Sequence, residues 1–267
     1  CSVLKGGQLA RAAMPARVPT MKLPSPAGRL AVEGVTYFYP GAQEPTIRGV
    51  SFKLEPGEAL GLIGPTASGK TTLVEMLVGN LPPRGGHVRL DGADITQWDP
   101  DDRRRYVGYL PQDIELFRGT VADNIARMDE VAPEDIIAAA KVAGVHEMIL
   151  RLPRGYNTDI GDSGSALSGG QRQRVALARA VFGSPKFVVL DEPNANLDHD
   201  GEERLLEAIK ILKERGATLV VIAHRPAVLR YVDKVLVMKN GAVETFGPRD
   251  QIVPMVTQAQ PAAATSR

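Results

Sequence analysis

Three short runs in this 267-residue chain carry residue types that act on phosphates. The first is Gly64-Pro65-Thr66-Ala67-Ser68-Gly69-Lys70-Thr71, which matches the spacing G-x-x-x-x-G-K-[ST] and is followed by Thr72. Glycines let the backbone fold closely around an anion, and a helix opening there points its unpaired N–H groups and positive dipole end at it. In that arrangement Lys70 reaches the β- and γ-phosphates of a nucleoside triphosphate, and the Thr71 hydroxyl ligates Mg²⁺. The second run, Phe187-Val188-Val189-Leu190-Asp191-Glu192, is an apolar strand ending in two acids. Asp191 is expected to bind the Mg²⁺ through water, and Glu192 to polarise an attacking water. Taken alone, two solvated acids at a strand end explain the pair as well; after a phosphate loop, the sum reads as a nucleoside-triphosphate hydrolase. The third run, Leu167-Ser168-Gly169-Gly170-Gln171, places a glycine pair and a hydroxyl at the start of a long helix, a second anion-seeking N-terminus.

Elements of regular structure must hold these runs in place. The apolar strand Ala59–Ile63 delivers the first loop, and a helix over Lys70–Val78 continues from it. Strand texture also marks Leu30–Tyr37, Val88–Leu90, Val107–Leu110 and Thr218–Ala223, with a hairpin of Lys234–Met238 and Ala242–Thr245 around Asn240-Gly241. Helical patterns cover Val121–Leu152, the run from Gln171 to Phe182, and Glu202–Arg215. This alternation predicts an α/β domain over residues 29–252 with a parallel core, interrupted by a mostly helical insertion at about 113–168. Residues 1–28, dense in Ala, Pro, Arg and Gly, read as a linker, and 253–267 as a disordered tail. Asp99 and Pro100 read as the cap and first turn of a helix whose Asp101–Arg105 face is solvated. Trp98 reads as packing, and His87, His146 and His199 as surface or loop groups.

Composition removes several function classes. Lys plus Arg number 32 against 31 Asp plus Glu, a net charge of +1, so no basic excess drives nonspecific nucleic-acid binding. Aromatics at 5% leave little for base stacking, and no nucleic-acid partner is expected. Cys1 is the only cysteine, which excludes an internal disulfide framework and a cysteine-based zinc site. The longest apolar runs fall far short of the ~20 residues a membrane span needs. Residues 1–30 hold no signal-peptide stretch, so a soluble chain of cytosolic type is expected.

Leu167–Gln171 resembles the signature motif of ATP-binding cassette (ABC) ATPases, and the remaining motifs fall into order around it between about Leu30 and Asp250. The resemblance implies a P-loop NTPase core with a parallel sheet, an antiparallel β subdomain and a helical subdomain, with ATP and Mg²⁺ as cofactors. It further implies that Gln112 is the Q-loop residue touching Mg²⁺, that Asp198 in Asn196-Leu197-Asp198 belongs to the D-loop, and that His224 is the switch histidine on the γ-phosphate. Tyr39, or Tyr37 on the same side of the strand, would stack on adenine. In the family the signature is lent to a partner, so Ser168, Gly169, Gly170, Gln171 and Asp198 would act across a head-to-tail homodimer. Two positions depart from the family's habit: Ala67 replaces a glycine of the phosphate loop, and Ala195, two residues before Leu197, stands where many relatives carry a serine.

Thr158-Asp159-Ile160-Gly161-Asp162 and the phrase Glu115-Leu116-Phe117, Gly119-Thr120-Val121 are similar to exporter cassettes. Gly108–Asp113, Val145–Pro153 and Asp191–Asn194 look most like the ATPase of type I protein secretion systems. That resemblance implies export of polypeptides across the bacterial inner membrane, with the chain at its cytoplasmic face. It also implies a transmembrane domain upstream in the same polypeptide, a periplasmic adaptor and an outer-membrane channel. A lipid or multidrug exporter cassette is the first alternative, and a soluble repair- or translation-type ATPase the second. Balanced charge, absent heptads and a single cassette argue against the latter. Ile114, Leu116 and Phe117 are expected to meet the membrane partner, with a core role for Phe117 as the alternative.

Overall fold

Phe187–Asp191 is buried at every position, as a strand covered on both faces must be. The computed structural model describes residues 25–222 and 226–258. In chain order its strands are β1 (Leu30–Tyr37), β2 (Ile47–Leu54), β3 (Ala59–Ile63), β4 (Gly85–Leu90), β5 (Ala93–Asp94), β6 (Val107–Leu110), β7 (Phe187–Asp191), β8 (Thr218–Ile222), β9 (Lys234–Lys239) and β10 (Ala242–Pro248). The helices are α1 (Lys70–Leu77), α2 (Pro100–Tyr106), α3 (Val121–Ile125), α4 (Pro133–Val142), α5 (His146–Leu150), α6 (Gly169–Val181), α7 (His199–Glu214), α8 (Pro226–Leu229) and α9 (Arg249–Gln258). An antiparallel sheet runs β2-β1-β4-β5, and a six-stranded sheet runs β10-β9-β3-β8-β7-β6, parallel from β9 to β6.

The period-two pattern divides the interior. Val188 and Leu190 of β7 enter one core with Leu219 and Val221 of β8, under α3 to α7. Phe187 and Val189 enter the other with Val220 and Ile222, facing α1 and the antiparallel sheet. Each such fully buried side chain contributes about 1.5–3 kcal/mol. The six-stranded sheet is thereby clamped on both faces, and its strand ends become a rigid platform. Among the described residues no helix is long and apolar enough to cross a membrane.

Several elements differ from expectation. β2 goes unread in the sequence because Gly49, at φ 64, breaks the alternation of Ile47, Val50, Phe52 and Leu54. The helical stretch from Val121 to Leu152 is three short helices. Arg127 and Met128 leave helical conformation at φ 58 and 63, where the Arg127 guanidinium turns to the end of α6 and donates to Arg179 O at 3.0 Å and Ala180 O at 3.1 Å. Leu116 is core, 3% exposed, and not a surface contact. His146 is no isolated surface group: it opens α5 with Nδ1 2.8 Å from the Tyr156 hydroxyl. The residues read as linker and tail are ordered where they adjoin the fold. Gly28 donates its N–H to Asp91 at 2.9 Å and accepts from Thr218 Oγ1 at 2.7 Å. α9 continues through residues 253–258, anchored by Ile252, which is 6% exposed.

Candidate functional site

Because β3, β8, β7 and β6 are parallel, their C-terminal ends share one edge, where ligands of open α/β sheets bind. The loop 64–69 leaves β3, Asp191 and Glu192 close β7, and exposed Gln112 lies just past β6. His224 lies outside the described residues. Gly64 and Gly69 adopt φ 153 and 94, and a side chain at Gly64 would run into the carbonyl oxygen of Met238. Ala67 takes φ 61, a left-handed conformation that costs a residue with a Cβ on the order of 1 kcal/mol. No side chain caps the start of α1 at Gly69. Its first N–H groups point at the loop.

Of the charged groups of this edge, Lys70 and Asp191 are buried and Glu192 is half-buried. Lys70 Nζ donates to Gly64 O and Pro65 O at 2.9 Å each, lying across the mouth of its own loop. Burial lowers its pKa, opposed by the carboxylates of Glu192 and Asp191. Asp191 is 1% exposed; burial, and after it the charge of Glu192, push its carboxyl up to about 6. Thr71 favours its charged form, yet neither Asp191 oxygen completes a hydrogen bond. Ser68 Oγ is likewise buried without a partner. An orphaned buried carboxylate beside a threonine hydroxyl is the hard oxygen donor set that Mg²⁺ shares with phosphates. Tyr39 donates to or accepts from Thr72 Oγ1 at 3.1 Å and is 48% exposed, whereas Tyr37 is core at 6%. Of the two rings, Tyr39 alone offers a face to a base.

The other expected residues gather elsewhere. Ser168 caps α6: its Oγ accepts from Gln171 N at 3.3 Å, and its N–H donates to Gln171 Oε1 at 2.9 Å. Asp198 caps α7, accepting from Gly201 N at 2.8 Å. Gln171 and Asp198 line a cleft of about 740 Å³ together with His146, Arg174 and Arg204. Sequence reasoning missed the residue that joins the two groups. Gln173, 3% exposed, hydrogen-bonds the backbone of Glu192, Pro193 and Asn196. Its signal was present: with Ala176, Leu177 and Ala180 it shares the i, i+3, i+4, i+7 stripe that apolar residues occupy.

A parallel sheet with a phosphate loop and a paired acid at its C-terminal edge, carrying a second capped glycine helix, defines an ATPase cassette. The family model for the ABC transporter matches residues 47–195, and the chain belongs to that family. It is an ATP-binding, ATP-hydrolysing domain of that kind. Across 93% of its length it is 51% identical to "Type I secretion system ATP-binding protein PrsD" of Rhizobium meliloti, covering 43% of that protein. It is 38% identical to the "ATP-dependent lipid A-core flippase" of Saccharophagus degradans over 85% of the chain and 38% of the flippase. To the "Toxin RTX-I translocation ATP-binding protein" of Actinobacillus pleuropneumoniae it is 35% identical, over 87% of the chain and 33% of that protein. A bacterial Atm1-family ABC exporter solved with ATP bound matches with a TM-score of 0.81 at 29% identity, over 93% of this chain and 44% of the exporter. The chain thus spans less than half the length of these relatives.

Proposed function

We propose that the chain binds MgATP and hydrolyses it to drive a type I secretion exporter of polypeptides. The observation that carries the chemistry is the buried, unpartnered Asp191 carboxylate beside Thr71 and Lys70. The backbone of Gly64, Pro65, Thr66, Ala67, Ser68 and Gly69 cradles the phosphates, with Lys70 on the β- and γ-oxygens, Thr72 at the helix start and Tyr39 against the base. Thr71, Asp191 and Gln112 hold Mg²⁺, which neutralises charge on the phosphates when bound. Glu192 orients the attacking water and takes its proton, and His224 contacts the γ-phosphate. Ser168, Gly169, Gly170, Gln171 and Asp198 serve the nucleotide of a second copy in a head-to-tail homodimer. The shared place of Gln171 and Asp198 in the lining of a separate cleft supports that assignment.

The polypeptide cargo rests on the 51% identity to a type I secretion ATPase, against 38% to a lipid flippase. On this reading the chain works at the cytoplasmic face of the inner membrane, on a transmembrane domain coupled to a periplasmic adaptor and an outer-membrane channel. Phe117, 57% exposed and packed on the Arg179 guanidinium, is the proposed contact with the membrane domain. The test deletes the gene and follows two cargos in the same cells. Loss of polypeptides from the medium with lipid export intact is expected; retained lipid with normal secretion would assign the chain to a lipid exporter.

A further inference from the structure

Gln173 lies one turn into α6 at a position that packing on a sheet assigns to an apolar side chain, and it is 3% exposed. Its amide is directed wholly at one short stretch of backbone. Nε2 donates to Pro193 O at 2.6 Å and to Glu192 O at 3.3 Å, while Oε1 accepts from Asn196 N at 3.0 Å. That stretch begins with Glu192, held at φ 48, a left-handed conformation that residues with a Cβ avoid. Such a conformation persists where its surroundings over-determine it. Here the Glu192 carbonyl is gripped from two sides, by the Gln173 amide and by Ala195 N at 3.2 Å. The backbone angles at Glu192 aim its Cα–Cβ bond, and with it the carboxylate.

We propose that Gln173 is a positioning residue: it fixes the direction of the Glu192 carboxylate and ties that group to the helix that begins at Ser168. The proposal rests on the reading of Glu192 as the group that activates water. A space-filling role would need no amide, because leucine has nearly the same volume. The consequence is a short mechanical link within one chain. A shift of α6, whose capped end serves the partner's nucleotide on that reading, reaches the chain's own Glu192 through a single side chain.

The test compares Gln173→Leu, Gln173→Glu and Glu192→Gln in the full chain. Leucine removes both donors and the acceptor; glutamate keeps the acceptor for Asn196 N and loses the donors facing the two carbonyls. Both Gln173 variants are expected to lower kcat by about tenfold or more while the ATP dissociation constant stays within about threefold. Unchanged kcat in both, with Glu192→Gln inactive, overturns the proposal, and so does weakened ATP binding at unchanged kcat. Should leucine fail to fold, the glutamate chain decides; failure of both to fold assigns Gln173 to the core alone and overturns it. A Glu192→Gln chain that still turns over ATP overturns the underlying reading instead, and the positioning role falls with it.

Discussion

The two glycine-bearing helix starts of this molecule are built differently. α1 opens at Gly69 with no side chain across its end, whereas α6 opens under a reciprocal cap in which Ser168 and Gln171 satisfy each other's backbone. The first is an open anion seat, backed by Lys70 and by the buried carboxylate of Asp191. The second is satisfied within its own chain and must exchange internal hydrogen bonds for a ligand's. Glycine content alone therefore does not define a phosphate site. What matters is whether the helix end is left uncapped and what charge lies behind it.

The largest effect should come from the open seat. Glu192→Gln spares the cradle and removes the proton acceptor, so turnover should fall by about 10²–10⁴-fold with ATP binding retained; single-turnover kinetics beside equilibrium binding checks both. Lys70→Ala removes a charge-assisted hydrogen bond to phosphate and should weaken ATP binding by roughly 10–100-fold. The same chain sharpens the comparison when mixed with inactive Ser168→Arg chains, because a mixed dimer then holds one site with both lesions and one with neither. Turnover should reappear; its absence where heterodimers demonstrably form would separate the two helix ends and sink the shared site.

Asp191 gives a pH signature of the open seat. Its native pKa of about 6 exceeds the ordinary 3.8, so the folded chain binds the proton more tightly than the unfolded one. Without nucleotide, the native state should therefore gain stability as pH falls through 6 toward 3.8. Asp191→Asn lacks that gain, so it should be the more stable chain at pH 7, with the gap closing on acidification; a gap that is flat with pH would contradict the buried charge. At the capped end, Ser168→Ala should cost about 1 kcal/mol in denaturant unfolding. The smallest effect is expected at Ala67, where glycine relieves the left-handed conformation but adds chain entropy, a net gain below about 1 kcal/mol. A clear loss of stability there would show that the Ala67 methyl is packed rather than strained.

The phosphate loop, the acids of Asp191 and Glu192, the helix start after Ser168 and most strands were legible in the sequence. Each is a local device: a helix start needs particular residues at fixed offsets, and a buried strand needs an unbroken apolar run. The strand β2, the breaks at Arg127 and Met128, and the burial of Leu116 were not legible. Each depends on a surface brought in from elsewhere in the chain. The choice between Tyr39 and Tyr37 was likewise tertiary, because both lie on one side of the chain and only packing decides which ring is covered. Gln173 is the sharpest case. Its place on an apolar stripe was visible, but the three backbone groups it holds lie about 20 residues further on, beyond α6 and β7. Spacing along a chain encodes what a segment does with its own backbone; which distant backbone a buried polar side chain must satisfy is settled when the layers pack.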